Sequence, residues 1–203
     1  MKVHTLVSPY RLSNTYLVEI KTGKFIGIDI GSINISEISD IIKVYSGKLL
    51  GYFLTHAHCD HTVGIQKLWN MYQMPIYCSK NTALAINNPR KNFSIYSEEI
   101  DTFNYDLPFS IVEDDDIITF EDTCFKIMAT PGHSPGCIVI SSKLEVFTGD
   151  FVMKDYKTPL NLPNSSVIDY KNSKNKFIAN FKNKLVTYYP GHGQIFSHLE
   201  EIF

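Results

Sequence analysis

The sequence predicts a layered domain of the α/β or α+β class, with sheets covered by helices, on three observations. Short β-branched and aromatic runs recur along the chain. Stretches with apolar residues at helical spacing fall between them. The composition of the 203 residues, 44% hydrophobic, 20% charged and 13% aromatic, is that of a globular protein and excludes a disordered or fibrous one. One domain over 1–203 is expected, since a chain of this length buries enough surface to fold without a disulfide or a structural metal.

In chain order, strands are expected at 3–7, 16–20 and 25–28, where Val, Ile, Leu, Phe and Tyr dominate. Ile35, Ile38, Ile41 and Ile42 repeat at helical spacing and give the first helix. A strand follows at 49–54. Val63, Ile65, Leu68, Trp69 and Tyr72 give a second helix. The segment from about 87 to 110 mixes Asn-Asn-Pro, aromatic and acidic residues without a period, and is expected to be an insertion or lid. Strands return at 117–120, 125–128, 138–140 and 146–148, a third helix covers 170–181, and a last strand lies at 185–189. The acidic run Glu113 to Asp116 reads as a solvated turn before its strand.

Charge narrows the function. Lys plus Arg is 19 and Asp plus Glu is 21, a net charge of -2, so no basic stripe suits a nucleic acid or an acidic membrane. The first ten residues hold no apolar run of signal-peptide length, and no segment approaches the roughly 18 apolar residues of a membrane span. A soluble, cytoplasmic protein is expected. Cys59, Cys78, Cys124 and Cys137 contain no Cys-x-x-Cys pair, which removes zinc ribbons and thioredoxin-type redox motifs and leaves free thiols.

The chemistry concentrates at Thr55-His56-Ala57-His58-Cys59-Asp60-His61, directly after a strand. In extended backbone side chains alternate, so residues 56, 58 and 60 share one side while Cys59 points to the other. His61 falls where the next helix begins. Imidazole and carboxylate are ligands that Zn²⁺, Fe²⁺ or Mn²⁺ accept, and four of them in six positions exceed the needs of one open site, which suggests two metals. His133 in Thr-Pro-Gly-His, Asp150 in Thr-Gly-Asp and His192 in Pro-Gly-His each follow a strand. Five of the seven histidines thus lie at strand ends; His4 and His198 do not. Asp29 is either an anchor for the ligand loop or a plain turn cap.

The motif His-x-His-x-Asp-His, the later Pro-Gly-His, the Gly-Asp and the final Gly-His stand in the order found in metallo-β-lactamase-fold hydrolases, which the chain resembles over nearly its whole length. The nearest branch in pattern is that of hydroxyacylglutathione hydrolase (glyoxalase II). The resemblance implies an αββα sandwich of the α+β class, with the metal site on one edge of the two sheets. It further implies that His56, His58 and His133 hold one metal, Asp60, His61 and His192 the second, and that Asp150 bridges them. Two divalent ions, zinc first and iron or manganese next, are the cofactors implied. The activity implied is hydrolysis of a thioester, ester or lactone on a small acyl substrate through a hydroxide shared by the metals, with Asp60 and Asp150 as the catalytic carboxylates. Those carboxylates and the hydroxide leave about one positive unit to face an oxyanion.

Two other readings fit the same residues: a mononuclear iron persulfide dioxygenase, and a metal-binding protein without turnover. A metal-dependent β-lactamase is disfavoured because that branch generally lacks the acid matching Asp150. Only 11 residues follow His192, so the helical domain that grips glutathione in the longer enzymes is not expected here. The stretch 155–164 also departs from the Gly-Arg-Thr-Asp-like segment of compact thioesterases and dioxygenases. Lys154 and Lys157 are candidates to attract an anionic tail. Phe93, Tyr96, Phe103, Tyr105, Phe151 and Tyr156 either wall a cleft or cover core.

Overall fold

The computed structural model describes residues 1–199. One sheet holds, side by side in chain order, β1 (Lys2–Val7), β2 (Asn14–Lys21), β3 (Lys24–Ile28), β4 (Lys48–Phe53), β5 (Ile76–Cys78) and β6 (Phe109–Ile111). The first three are antiparallel, and from β3 onward neighbours are parallel. Parallel neighbours need crossovers. These are α1 (Ile35–Val44), then α2 (Cys59–Thr62) with α3 (Ile65–Tyr72), then α4 (Lys80–Ile86).

The second sheet contains β7 (Ile117–Phe120), β8 (Thr123–Ala129), β9 (Ile138–Ser142), β10 (Glu145–Gly149) and β11 (Thr187–Pro190), in the order β11-β10-β9-β8-β7. It is antiparallel from β7 to β10, while β11 runs parallel to β10 after the crossover helix α5 (Val167–Phe181).

Alternation along the strands creates three apolar layers. Ile26, Ile28 and Phe53 meet Phe125, Ile127, Ile140 and Phe147 between the sheets. Phe25, Leu49 and Tyr52 face the other way, against Ile38, Ile42 and Leu68 of the helices. On the far side of the second sheet, Val139, Val146 and Tyr188 pack on Phe177 and Phe181 of α5. The result is the αββα sandwich of the metallo-β-lactamase fold, α+β in class. Among the described residues no helix is long and apolar enough to cross a membrane.

The expected strands and helices are present with shifted ends. The last strand begins at Thr187 because Leu185 is 89% exposed, and α5 starts at Val167, where the Ser166 side chain accepts from Asp169 N–H. Three elements lay outside the sequence reading: β5, β6 and α4. Both strands have three residues, too few to display a period. The stretch from 87 to 108 carries one 3₁₀ turn, Ser94–Tyr96, and buries Ile100, Phe103 and Leu107 on the helix-side core. It is tied to itself by the Asn92 amide, which donates to the carbonyls of Ile86 and Phe103.

Gly27 links packing to the site. A Cβ there would lie 1.9 Å from the Tyr52 ring, and the Tyr52 hydroxyl donates to the Asp29 carbonyl at 2.9 Å. Gly27→Ala should therefore lower stability by about 1–3 kcal/mol through overpacking, read as a reduced urea midpoint at unchanged m-value.

Candidate metal centre

Strand direction gathers the site. β3 and β4 run parallel; β8, β10 and β11 share a direction, because β9 is antiparallel to both β8 and β10. Asp29, His56, His133, Asp150 and His192 follow the C-terminal ends of these five strands in turn. All seven residues expected at the centre are brought to this one rim. His56, His58, His133 and Asp150 offer ligand atoms within 4.8 Å of one another, and so do Asp60, His61 and His192.

The ligand loop is extended only as far as His58 (φ -61°, ψ 144°), which is the N-cap of α2. Alternation therefore explains His56 and His58 but not Asp60. The helix turn carries Asp60 away from those two histidines, towards His61 and His192. For the same reason Cys59 does not turn its back on the site as strict alternation requires: it lines the cavity there.

Asp29 fixes the loop. Its Oδ1 accepts from the Thr55 backbone N–H at 2.7 Å; its Oδ2 accepts from the Thr55 hydroxyl at 2.6 Å and from His61 Nδ1 at 3.0 Å. With its proton given to Asp29, the Thr55 oxygen accepts from His56 Nδ1 at 3.0 Å. His133 Nδ1 donates to the Pro159 carbonyl at 2.9 Å and His192 Nδ1 to the Arg11 carbonyl at 3.1 Å. A ring nitrogen facing these acceptors must carry the proton, so the Nε2 lone pairs of four imidazoles are directed into the centre. The Asp29 alternatives resolve in favour of the anchor. Thr55, Pro159 and Arg11 were not singled out in the sequence, although Thr55 adjoins the motif.

The centre demands positive charge. His61 Nε2 and His192 Nε2 lie 3.1 Å apart, and with both Nδ1 atoms already donors their lone pairs would repel unless a proton or a cation lay between them. Asp60 Oδ2 lies 3.4 Å from His192 Nε2, and Asp150 Oδ1 3.3 Å from His61 Nε2. In the metal-free chain burial alone would lower His192, but hydrogen bonds to Asp150 and Asp60 outweigh it and push the imidazole up to about 9. His61 rises too: burial opposes, and the charges of Asp150 and Asp60 win. Opposite them, burial and then the neighbouring imidazoles hold His56 well below its ordinary value, and burial with His133 takes His58 down to about 3. Burial would raise Asp60, but His61 and His192 bring it down to about 2.

Buried His56 Nε2 and Asp150 Oδ1 have no hydrogen-bond partner, a costly state that a bound cation relieves. The backbone makes room: a Cβ on Gly191 would lie 2.1 Å from Asp150 Oδ1. The donor set of neutral imidazoles and ionised carboxylates fits divalent transition ions.

The centre opens into a cavity of about 670 Å³, walled by Phe93, Tyr96, Met153, Tyr156, Leu162 and Pro163, with Arg11 and Lys157 as its cations. Phe93 stacks on His58 at 4.6 Å. Of the six aromatics named from the sequence, Phe93, Tyr96 and Tyr156 wall this cavity, whereas Phe103, Tyr105 and Phe151 pack in core. Lys154 lines an adjoining cavity.

Residues 47–192 match the family described as the metallo-beta-lactamase superfamily. The chain belongs to that superfamily. A probable metallo-hydrolase of Streptococcus pyogenes serotype M6 is 28% identical over 207 residues, covering 95% of this chain and 84% of that protein. A hydroxyacylglutathione hydrolase of Pseudoalteromonas translucida is 29% identical over 114 residues, covering 56% of this chain and 36% of its own. Among solved structures, BLEG-1 B3 metallo-beta-lactamase superposes with a TM-score of 0.87 at 18% identity, over 97% of this chain and 94% of that one. TTHA1623 in a di-iron-bound form gives 0.82 at 22%, over 96% and 94%. These likenesses show the fold.

Asp29→Asn replaces the doubly accepting Oδ2 by a donor facing Thr55 and His61. Metal affinity should fall about 10–100-fold with the fold retained, measured by competition with a chromophoric chelator alongside circular dichroism.

Proposed function

We propose that the chain is a binuclear metal-dependent hydrolase of thioesters, esters or lactones, thioesters first. His56, His58 and His133 would hold one divalent ion, Asp60, His61 and His192 the other, and Asp150 both. Zinc suits this set best, with iron or manganese next. The observation that supports the reading above all is the position of Asp150. Its oxygens lie 3.5 Å from His133 Nε2 and 3.9 Å from His56 Nε2 on one side, and 3.3 Å from His61 Nε2 and 3.6 Å from His192 Nε2 on the other.

Bound ions supply Lewis-acid polarisation of an acyl oxygen and a water acidified towards neutral pH. The chain supplies the rest. Asp60 and Asp150 reduce the cationic charge of the centre so that it favours an oxyanion without trapping it. Asp29 and Thr55 keep His56 and His61 in the liganding tautomer. Phe93, Tyr96 and Leu162 present an apolar wall to a small acyl group and shield the reacting carbonyl from bulk water.

The thioester preference also draws on the partial match to hydroxyacylglutathione hydrolases. A mononuclear dioxygenase would leave Asp60, His61 and His192 without a task.

The purified, zinc-loaded protein should hold about two equivalents of metal and release thiol from a panel of acyl thioesters. Hydrolysis should disappear with a chelator and return with zinc. Asp150→Asn should cut turnover at least about 100-fold, the scale of losing one electrostatic stabiliser. One iron per chain with oxygen uptake on glutathione persulfide would instead establish the dioxygenase, and metal without turnover on any ester or thioester would establish a binding protein.

A further inference from the structure

Arg11 is the feature of this rim that the metal chemistry leaves unused. It sits in the turn between β1 and β2, and both Arg11 and Leu12 have φ of 54°, a left-handed conformation that residues with a Cβ rarely adopt in succession. The turn is held there from three sides. Ser8 N–H donates to the Ser13 carbonyl at 2.8 Å, the Ser13 hydroxyl donates to the Asp60 carbonyl at 2.5 Å, and the Arg11 carbonyl takes the His192 Nδ1 proton. Over-determined backbone of this kind is found at sites where a side chain must be aimed.

The aimed group is the guanidinium. Its Nε donates to the Tyr10 hydroxyl at 3.0 Å, and its carbon lies 5.4 Å from the centroid of the Tyr10 ring, so Tyr10 steadies the guanidinium. That bond consumes the Nε–H and leaves the Nη edge, with its two parallel donors, for another acceptor; Arg11 is exposed and lines the cavity that also holds Asp60 and His192. Asp60 acts on the guanidinium through its field, and no ion pair of Arg11 forms among the described residues. A planar two-donor edge matches a carboxylate, which accepts both N–H groups at once. Lys157, the second cation of the cavity, offers a point charge without the planar fork, and Phe93, Tyr96 and Leu162 take no anion.

We propose that Arg11 docks a carboxylate carried by the substrate, so that the hydrolysed compound is a small carboxylate-bearing acyl thioester or ester. This specificity rests on the hydrolase reading above and adds the anionic handle to it.

The test compares 3-mercaptopropionate with its neutral amide, both as thiols titrated into the zinc-loaded protein and as their acetyl thioesters. The wild-type chain should bind the carboxylate at least tenfold more tightly and show a matching preference in KM, with kcat similar for the two thioesters. Arg11→Met should bring both ratios to within twofold, with the affinity for the carboxylate thiol falling at least fivefold more than that for the amide. Arg11→Lys, which keeps the charge without the fork, should fall between. Equal affinity for the two thiols in the wild type, a preference that survives Arg11→Met, or a preference abolished by Lys157→Met instead would overturn the proposal. Loss of metal in Arg11→Met, with both thiols weakened alike, would do the same, since it would mean that Arg11 acts only through His192. Binding of the thiols is read without turnover, so a chain that hydrolyses neither thioester defeats the hydrolase reading while the carboxylate preference is still measured.

Discussion

The Asp29 carboxylate is buried to 2% exposure and accepts three hydrogen bonds, two from Thr55 and one from His61. A buried carboxylate without partners costs several kcal/mol, and each hydrogen bond to it returns about 1.5–3 kcal/mol. Strand β3 therefore ends well only when the loop after β4 is in its liganding conformation. The adjacency needed is already present, because β3 and β4 are parallel neighbours and Asp29 N–H donates to the Phe53 carbonyl at 3.0 Å. From this single acid one line of hydrogen bonds runs through Thr55 to His56, in one cluster, and another directly to His61, in the second. Both halves of the centre are oriented by the same carboxylate, which couples their geometry to the sheet.

The second constraint is electrostatic. Asp60 and Asp150 are buried acids, and the imidazoles around them divide into two kinds. His56 and His58 are held neutral chiefly by burial, whereas His61 and His192 are drawn towards the charged form by the two acids. The division follows position: the pair that meets through opposed Nε2 atoms stands nearest the acids. In the metal-free chain a proton can lie between that pair, in the place where a divalent ion would otherwise balance the two acids.

Much of this was legible before any coordinates. Seven ligand candidates announce themselves because five imidazoles and two carboxylates cluster in one motif and recur just after later strands, and the apolar runs give the strands that carry them. What stayed hidden has a physical cause in each case. β5 and β6 are too short to show alternation. Alternation alone placed Asp60 on the side of His56 and His58, because the backbone changes from extended to helical within the motif and the period changes with it; the family resemblance had already grouped it with His61 and His192, as the structure does. Asp29 was ambiguous because a capping Asp and an anchoring Asp look alike until the partner is known. Arg11 was invisible, since its part depends on a carbonyl and a backbone conformation, neither of which is written in a side chain.

That contrast separates what defines the family from what defines the substrate. The donors of the centre hang from strand ends, where register and sheet packing fix them within tight limits, so their order in the sequence is enough to find them. The cavity wall comes from loops: Phe93 from the stretch before β6, Leu162 and Lys157 from the stretch before α5, and Arg11 from the β1–β2 turn. Loops vary without disturbing a core, so the side chains of the wall can change at less cost to the fold than those that follow the strand ends. The wall of this chain combines one aromatic and aliphatic face with a guanidinium that lies beside the candidate metal donors, so the cavity is chemically asymmetric, and that asymmetry is written in loop residues that the strands do not constrain.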